Sequence, residues 1–124
     1  MERIEIQRKS DGPGIIIDPE KMTLFVEGPS YPEDALELYL PLISWVNSIS
    51  ALDPPSVDCA FHFTVLSSAS HKVIYEILVK LERLMLKGSK INVVWKYDKD
   101  DLDMMEVGQD LKDSLELPIE IIQY

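Results

Sequence analysis

The order of apolar and polar positions divides the chain into strand-like and helix-like segments. Isoleucines alternate with polar residues over Arg3 to Arg8, Ile15 to Ile17 is a short apolar run, and Met22 to Glu27 is rich in β-branched and aromatic residues. Glycine and proline separate these runs, and Gly28-Pro29 closes the third. The pattern predicts an opening hairpin or meander of short strands.

The first helix is predicted to begin at Ser30. Ser30 and Glu33 have the spacing of a capping box. Apolar residues then recur at helical intervals, at Leu36, Leu40, Ile43, Val46 and Ile49. Pro41 removes one backbone donor, so we expect a kink near Glu37 within a single helix that ends before Asp53.

The middle of the chain predicts a strand, a helix and a second strand. Val57 to Leu66 alternates as a strand, with His62 on its polar face. Its apolar face carries Cys59, Phe61, Phe63 and Val65. Ala69 to Lys87 has the broad stripe of a long helix that Gly88 would cap. Ile91 to Trp95 follows as a central strand, which favours a parallel pair with a crossover helix.

The last quarter predicts one more helix and one more strand. Asp98 to Asp113 has loose helical spacing interrupted by Gly108, and Pro118 to Tyr124 is strand-like. The whole pattern predicts a single α/β domain over residues 1–124, with helices packed on a mixed sheet of about five or six strands.

The chain is strongly acidic, with 22 Asp and Glu residues against 12 Lys and Arg and a formal charge of −10. Nucleic acids and anionic membranes would be repelled, so a basic protein is the better expectation for a partner. No apolar run reaches the roughly 18 to 20 residues of a membrane span, and the segment before Asp11 lacks the apolar core of a signal peptide. We therefore expect a cytoplasmic protein.

The sequence contains no motif for a metal or an organic cofactor. Its single cysteine, Cys59, lies in an apolar run, where a buried thiol is expected. Counted from Asp98, the acidic segment has Asp103 and Gln109 where a calcium loop requires glycine and glutamate. Phosphate-loop and dinucleotide fingerprints are absent as well, so we expect neither a metal nor a cofactor.

Ser67, Ser68 and Ser70 lie where the strand predicted to end at Leu66 meets the long helix. The first amide groups of a helix are unpaired and attract an anion. A phosphate attached at this point would lie beside the positive helix end and near Lys72. The serines therefore indicate either a phosphorylation site or an ordinary helix cap.

A small serine hydrolase is the enzymatic alternative, because Ser68 and His71 are three positions apart. The sequence has no Gly-x-Ser-x-Gly elbow and no glycines around Ser68 that would form an oxyanion hole. The pattern therefore disfavours an enzyme.

The strongest concentration of charge lies between Asp98 and Glu120, where nine acidic residues and two lysines give a net charge of −7. Such a run is often only a solvated helix face, and acidic residues also stabilise the start of a helix. Its functional interpretation is an electrostatic docking surface for a basic protein.

Three segments of the chain match the signatures of one protein family. Ser30 to Leu42 (SYPEDALELYLPL) matches SYPENALEFY-x-PL, and Val93 to Asp110 (VVWKYDKDDLDMMEVGQD) matches V-x-W-x-YDEDDEDMLE-x-GED. Val65 to Lys72 (VLSSASHK) aligns without a gap with YFNTSS-x-K. Over about residues 22 to 122, the chain resembles the SiaC-type regulatory phosphoproteins of bacteria.

This resemblance implies a fold similar to the STAS domains of anti-sigma-factor antagonists, with a phosphorylated hydroxyl at a strand-to-helix turn. It implies a dedicated serine/threonine kinase and a PP2C-type phosphatase as partners. It also implies that the unphosphorylated form binds and activates a diguanylate cyclase, which raises cyclic di-GMP and promotes biofilm formation. A STAS-type anti-sigma-factor antagonist in a partner-switching pathway is the alternative.

The phosphoacceptor threonine of the family aligns with Ser68, and Ser67 and Ser70 are alternative acceptors. We expect a non-enzymatic signalling switch in which phosphorylation at Ser68 controls partner binding. The expected contact residues are Lys72, His71, Tyr97, Asp98, Asp100, Asp101, Asp103 and Glu106.

Overall fold

A computed structural model describes residues 2–124, which form one mixed sheet with helices packed against it. The strands are β1 (Ile4–Ile6), β2 (Gly14–Asp18), β3 (Thr23–Ser30), β4 (Ser56–Leu66), β5 (Lys90–Tyr97) and β6 (Ile119–Gln123). The helices are α1 (Ala35–Ser50), α2 (Ser68–Leu86) and α3 (Leu102–Ser114). The predicted α/β class and mixed sheet are confirmed.

The strands follow one another across the sheet in chain order. β1, β2 and β3 form the predicted antiparallel meander, whereas β3, β4, β5 and β6 run parallel. Each parallel connection contains one helix, because a tight turn cannot join parallel neighbours. The carboxyl ends of the parallel strands share one edge of the sheet, so α1, α2 and α3 all start along that edge.

The hydrophobic core lies between the three helices and one face of the sheet, which we call the inner face. Phe61 and Phe63 of β4 and Trp95 of β5 pack there, with ring centroids 5.6 to 6.1 Å apart. Gly108 of α3 rests against the Trp95 indole, which donates a hydrogen bond to the Met104 carbonyl at 3.0 Å. α3 is therefore fixed directly to β5.

The predicted start of the first helix at Ser30 is wrong. β3 continues past Gly28-Pro29, with a shift of register, and Ser30 pairs with Leu66 as its last residue. The Ser30 carbonyl accepts a hydrogen bond from the Ser67 amide at 2.8 Å, so pairing with β4 extends the strand beyond the proline. Asp34 caps α1 instead, because its side chain accepts an amide hydrogen bond from the first turn at 3.1 Å.

α1 runs without interruption through Pro41, as the prediction of a single helix required. The predicted buried face is only partly right, because Leu36 and Leu40 are 54% and 48% exposed. The stripe that does face the core consists of Ala35, Tyr39, Leu42, Trp45, Val46 and Ile49. Tyr39 therefore replaces its leucine neighbours as the large core residue of the first turns.

Two further predictions differ from the structure. The segment from Asp98 to Asp101 is a loop, and α3 begins only at Leu102 because Asp101 caps it, accepting the Met104 amide at 3.1 Å. Val65, predicted to share the buried face of its strand, is 46% exposed near the end of β4.

Candidate functional site

We call Ser67–Ser70 the acceptor turn. Ser67 is the N-terminal cap of α2, and its hydroxyl accepts a hydrogen bond from the Ser70 amide at 3.2 Å. Ser68 is the first residue of the helix, and its side chain is exposed. Since the first amides of a helix carry a partial positive charge, an anion at Ser68 would be stabilised.

The hydroxyl groups of Ser67 and Ser70, the other two serines of the acceptor turn, form hydrogen bonds within the protein. Ser70 has no exposed surface, and its hydroxyl accepts hydrogen bonds from Ser30 at 2.8 Å and from Ser67 at 3.1 Å. Ser67 is half-buried and also holds the cap. Among the three candidate acceptors, Ser68 is the one whose hydroxyl faces solvent.

A buried hydroxyl cluster of Ser30, Tyr39 and Ser70 lies beneath the acceptor turn. The Ser30 and Tyr39 oxygens are 2.6 Å apart. Because Ser30 donates its single proton to Ser70, Tyr39 donates to Ser30. Burial raises the pKa of Tyr39 to about 12. Tyr39 stays protonated near neutral pH and connects α1 to the acceptor turn.

His71 and Lys72 follow in the first turns of α2. His71 is half-buried, and its amide donates to the Ser67 carbonyl at 2.8 Å. Lys72 is exposed and lies four positions after Ser68, on the same side of the helix. Within residues 2–124, no hydrogen bond joins the Ser68 and His71 side chains. Lys72 therefore supplies a positive charge near Ser68, whereas His71 is not placed as a base that bonds to the Ser68 hydroxyl.

The acidic segment, Tyr97–Glu106, starts at the same sheet edge as the acceptor turn because β4 and β5 are parallel. His62 Nε2 donates to the Asp98 carboxylate at 2.8 Å, and the His62 ring packs against Tyr124 in a tilted arrangement, with ring centroids 4.5 Å apart. The Tyr124 amide donates to the carbonyl of Tyr97 at 2.8 Å. These contacts fix the beginning of the acidic segment to β4 and to the end of β6.

The remaining predicted contact residues are accessible to different degrees. Asp100, Asp103 and Glu106 are exposed, whereas Tyr97 and the cap residue Asp101 are half-buried. In the described part of the chain, no ion pair links the acidic segment to Lys72. The structure therefore places the predicted residues along one sheet edge, and no ion pair joins the two groups within residues 2–124.

Sequence reasoning did not assign Ser30, Tyr39 or His62 to the site. Tyr39 carried a usable signal, because a tyrosine within a buried helical stripe needs a hydrogen-bond partner for its hydroxyl. Ser30 resembled a helix cap, which hid its role at the end of β3. The pairing of His62 with Asp98 spans 36 positions and has no local signature.

The described residues contain no group of three or more His, Cys, Asp or Glu side chains arranged to hold a metal ion. Cys59 is buried, and burial, with Asp58 nearby, raises the pKa of its thiol to about 12. The thiol is therefore a poor nucleophile near neutral pH. None of the helices in residues 2–124 has the length and apolarity to cross a lipid bilayer.

Comparison with protein-family models identifies the family of this chain. A family model described as SiaC family regulatory phosphoprotein matches residues 6–124. An uncharacterised protein of Pseudomonas aeruginosa (strain UCBPP-PA14) is 26% identical over 121 residues, covering 98% of this chain and 96% of that protein.

Solved structures from Pseudomonas aeruginosa show the same likeness. Apo-SiaC superposes with a TM-score of 0.91 at 26% identity, covering 98% of this chain and 99% of the other. A chain in the structure of diguanylate cyclase SiaD in complex with its activator SiaC gives a TM-score of 0.91 at 25% identity, with the same coverage. The chain belongs to the SiaC family of regulatory phosphoproteins.

Proposed function

We propose that this protein is a bacterial signalling switch controlled by reversible phosphorylation of Ser68, and that its unphosphorylated form binds and activates a diguanylate cyclase. A serine/threonine kinase and a PP2C-type phosphatase set its state in the cytoplasm. The observation that carries the proposal is that Ser68 is exposed, whereas Ser67 and Ser70 on either side of it form hydrogen bonds within the protein. The complex of a related SiaC with the cyclase that it activates supports the choice of partner.

The local electrostatics favour a phosphate on Ser68. A phosphoserine adds a charge of about −1.5 to −2, next to the unpaired amides at the start of α2. Lys72, one turn later on the same side, adds a full positive charge. Phosphorylation can therefore change the surface without disturbing the packing of α2.

Four exposed apolar side chains lie on the elements that meet at the sheet edge of the acceptor turn. They are Tyr31, Leu36, Leu40 and Val65. Tyr31 follows β3, Val65 immediately precedes the turn, and the two leucines lie on the first turns of α1, which starts at the same edge. Apolar side chains that cluster on a surface mark interaction sites. The proposed contact face joins this cluster to Ser68, Lys72 and the acidic segment.

This contact face explains how phosphorylation would release the partner. In the unphosphorylated form, the partner would bury the apolar cluster together with the neutral Ser68 hydroxyl. A phosphate in the same place must lose its hydration when the partner binds, and burial of an unpaired charge is costly. We therefore propose that the phosphorylated form has the lower affinity for the cyclase.

Co-expression with a candidate kinase, followed by intact-mass measurement and peptide mapping, tests the acceptor. We expect one added phosphate, located on Ser68 and absent from the Ser68→Ala variant. Ser114→Ala, which removes another exposed serine, should be phosphorylated like the wild type. A phosphate that persists in Ser68→Ala would overturn the assignment.

Synthesis of cyclic di-GMP by a purified candidate cyclase tests the second half of the proposal. Unphosphorylated wild type and Ser68→Ala should both increase the rate, whereas the phosphorylated protein and Ser68→Asp should increase it much less. Equal activation by Ser68→Ala and Ser68→Asp would show that charge at Ser68 does not control the partner.

A further inference from the structure

The outer face of the sheet, opposite the helices, carries an apolar stripe that crosses four strands. The strand register places Ile16, Phe25, Ala60 and Val94 side by side in one row, which we call the outer stripe. All four are half-buried, whereas their neighbours along each strand point into the core. The row is continuous because each member is paired directly with the next.

Within residues 2–124, no helix covers the outer stripe. The buried apolar side chains of α1, α2 and α3 all belong to the one core cluster on the inner face. Parallel strands are normally covered on both faces, because their crossover helices pack on either side. β3 to β6 are parallel and still have a bare face, which marks that face as a place for a partner.

Ala60 creates a hollow in the middle of the stripe. The hollow has a volume of about 410 Å³ and is lined by Phe25 and Val94 on either side of the small alanine side chain. Thr23, Asp58 and Asn92 form its polar rim. This volume accommodates a large apolar side chain from a partner, as in the apolar pockets that anchor protein interfaces.

Carboxylates flank the stripe. The register continues to Glu5 beyond Ile16 at one end and to Glu120 beyond Val94 at the other. Further carboxylates occupy the adjacent rows, at Asp18, Glu27 and Asp58. The Lys96 ammonium lies 5.7 Å from the Phe25 ring, and two of the five carboxylates form exposed ion pairs with arginines near β1.

The acidic rim selects the occupant. A second copy of this chain would bring glutamates against glutamates, and an anionic membrane would be repelled in the same way. A basic, partly apolar segment can pack its apolar side chains on the outer stripe and pair its basic side chains with the flanking carboxylates.

We propose that the outer stripe binds an amphipathic helix of a partner protein that has an apolar face between two basic ends. Glu5 and Glu120 lie on the first and sixth strands, so strand spacings of about 4.8 Å separate them by about 24 Å. A helix covers this distance in about 16 residues. Its Lys or Arg residues should be about that far apart, and one large apolar residue between them fills the hollow at Ala60. This docking does not require phosphorylation of Ser68.

A synthetic peptide serves as the probe. It is a helix of about 20 residues with leucines at i, i+3, i+4 and i+7 and lysines at both ends, and a scrambled peptide of the same composition is its control. Fluorescence anisotropy gives the affinity, and amide chemical shifts give the footprint. We expect the amphipathic peptide to perturb Ile16, Phe25 and Val94, with affinity that falls as salt increases.

Variants of this chain distinguish specific binding at the outer stripe from non-specific attraction of a basic peptide to an acidic protein. Ala60→Leu fills the hollow without a change in charge and should weaken binding by at least about tenfold. Leu86→Ser, an exchange of an exposed apolar residue at the end of α2, should bind like the wild type. Glu5→Gln and Glu120→Gln, both at exposed positions, should each weaken binding and reduce its salt dependence. They provide a test even if Ala60→Leu does not fold.

Three results would overturn the proposal. The first is a footprint centred on the acidic segment, and the second is equal affinity for the scrambled peptide. The third is unchanged affinity in folded Ala60→Leu and in both glutamine variants. Because no arm uses a kinase or a cyclase, failure of the proposed switch function would leave this test unaffected.

Discussion

The Ser30 hydroxyl donates to the Ser70 hydroxyl at 2.8 Å, although the two residues are 40 positions apart. The bond joins the end of β3 to the first turn of α2, and Tyr39 extends it to α1. The conformation of the acceptor turn therefore depends on side chains from two other elements. Ser67 and Ser70, which would otherwise be candidate phosphate acceptors, are held by hydrogen bonds within the fold.

Loss of the Ser70 hydroxyl is expected to destabilise the protein. Ser70→Ala leaves the buried Ser30 hydroxyl without its acceptor, which costs about 1 to 3 kcal/mol in the free energy of unfolding. Ser48→Ala, which removes a hydroxyl that bonds only the backbone of its own helix, should change stability by less than about 0.5 kcal/mol. Urea denaturation measures both. Equal stability of the two variants would contradict a structural role for the cluster.

A double-mutant cycle should show that the cluster acts as one unit. Ser70→Ala and Tyr39→Phe share the partner Ser30, so their combined effect should differ from the sum of the single effects by about 0.5 kcal/mol or more. Strict additivity in the cycle would mean that the two hydrogen bonds are independent.

A negative charge at Ser68 is expected to stabilise the fold. Ser68→Asp places a carboxylate at the positive start of α2 and should raise the unfolding free energy by about 0.3 to 1 kcal/mol at low salt. Ser114→Asp adds the same charge at the last residue of α3, where the helix end is negative, and should lower it. Thermal unfolding at low and high ionic strength measures both effects. Changes of equal sign would show that total charge, rather than helix position, dominates.

Gly108 is expected to tolerate no side chain. A Cβ atom at this position would meet the Trp95 indole, at 2.7 Å from Nε1, so Gly108→Ala should cost about 1 to 3 kcal/mol. In an exposed helix interior, the same exchange would stabilise by about 1 kcal/mol, so the sign of the change is diagnostic. Urea denaturation measures it. Trp95→Phe shrinks the obstructing ring. Gly108→Ala should therefore cost less free energy of unfolding in the Trp95→Phe background than in the wild type.

Tyr39 is expected to make stability depend on alkaline pH. Its pKa is raised from 10.0 to about 12 in the folded protein, so the folded state holds the proton more tightly than the unfolded chain does. The stabilisation is complete below pH 10 and is lost as the pH rises from 10 towards 12. Above pH 10, wild type should lose up to about 1.4 kcal/mol per pH unit more than Tyr39→Phe. Urea denaturation over this pH range tests the prediction. Cys59 is present in both proteins, so its titration affects both profiles equally. Parallel pH profiles would contradict the shift.

Much of the fold was predictable because the pattern of each main element is local. The alternation over β4, the broad stripe of α2 and the β-branched run of β5 are each visible within one segment, and parallel strands required a helix between them. The acceptor turn was predictable for the same reason, since serines at a strand-to-helix junction are a local feature.

The errors came from contacts between distant segments. Ser30 has the local appearance of a cap, but pairing with Leu66 keeps it in β3. Leu36 and Leu40 have helical spacing, but the side of α1 that faces the core is the one that carries Tyr39, whose hydroxyl bonds to Ser30. The bond from Ser30 to Ser70, which removes Ser70 as an acceptor site, is also long-range, whereas Ser67 is held by local capping bonds to Ser70.

The close approach of Gly108 to Trp95 restricts how this chain can diverge. A larger residue at 108 becomes acceptable only if the ring at 95 is replaced first or at the same time. Among relatives, the two positions should therefore change as a pair, and a lone replacement of the glycine should be eliminated by selection.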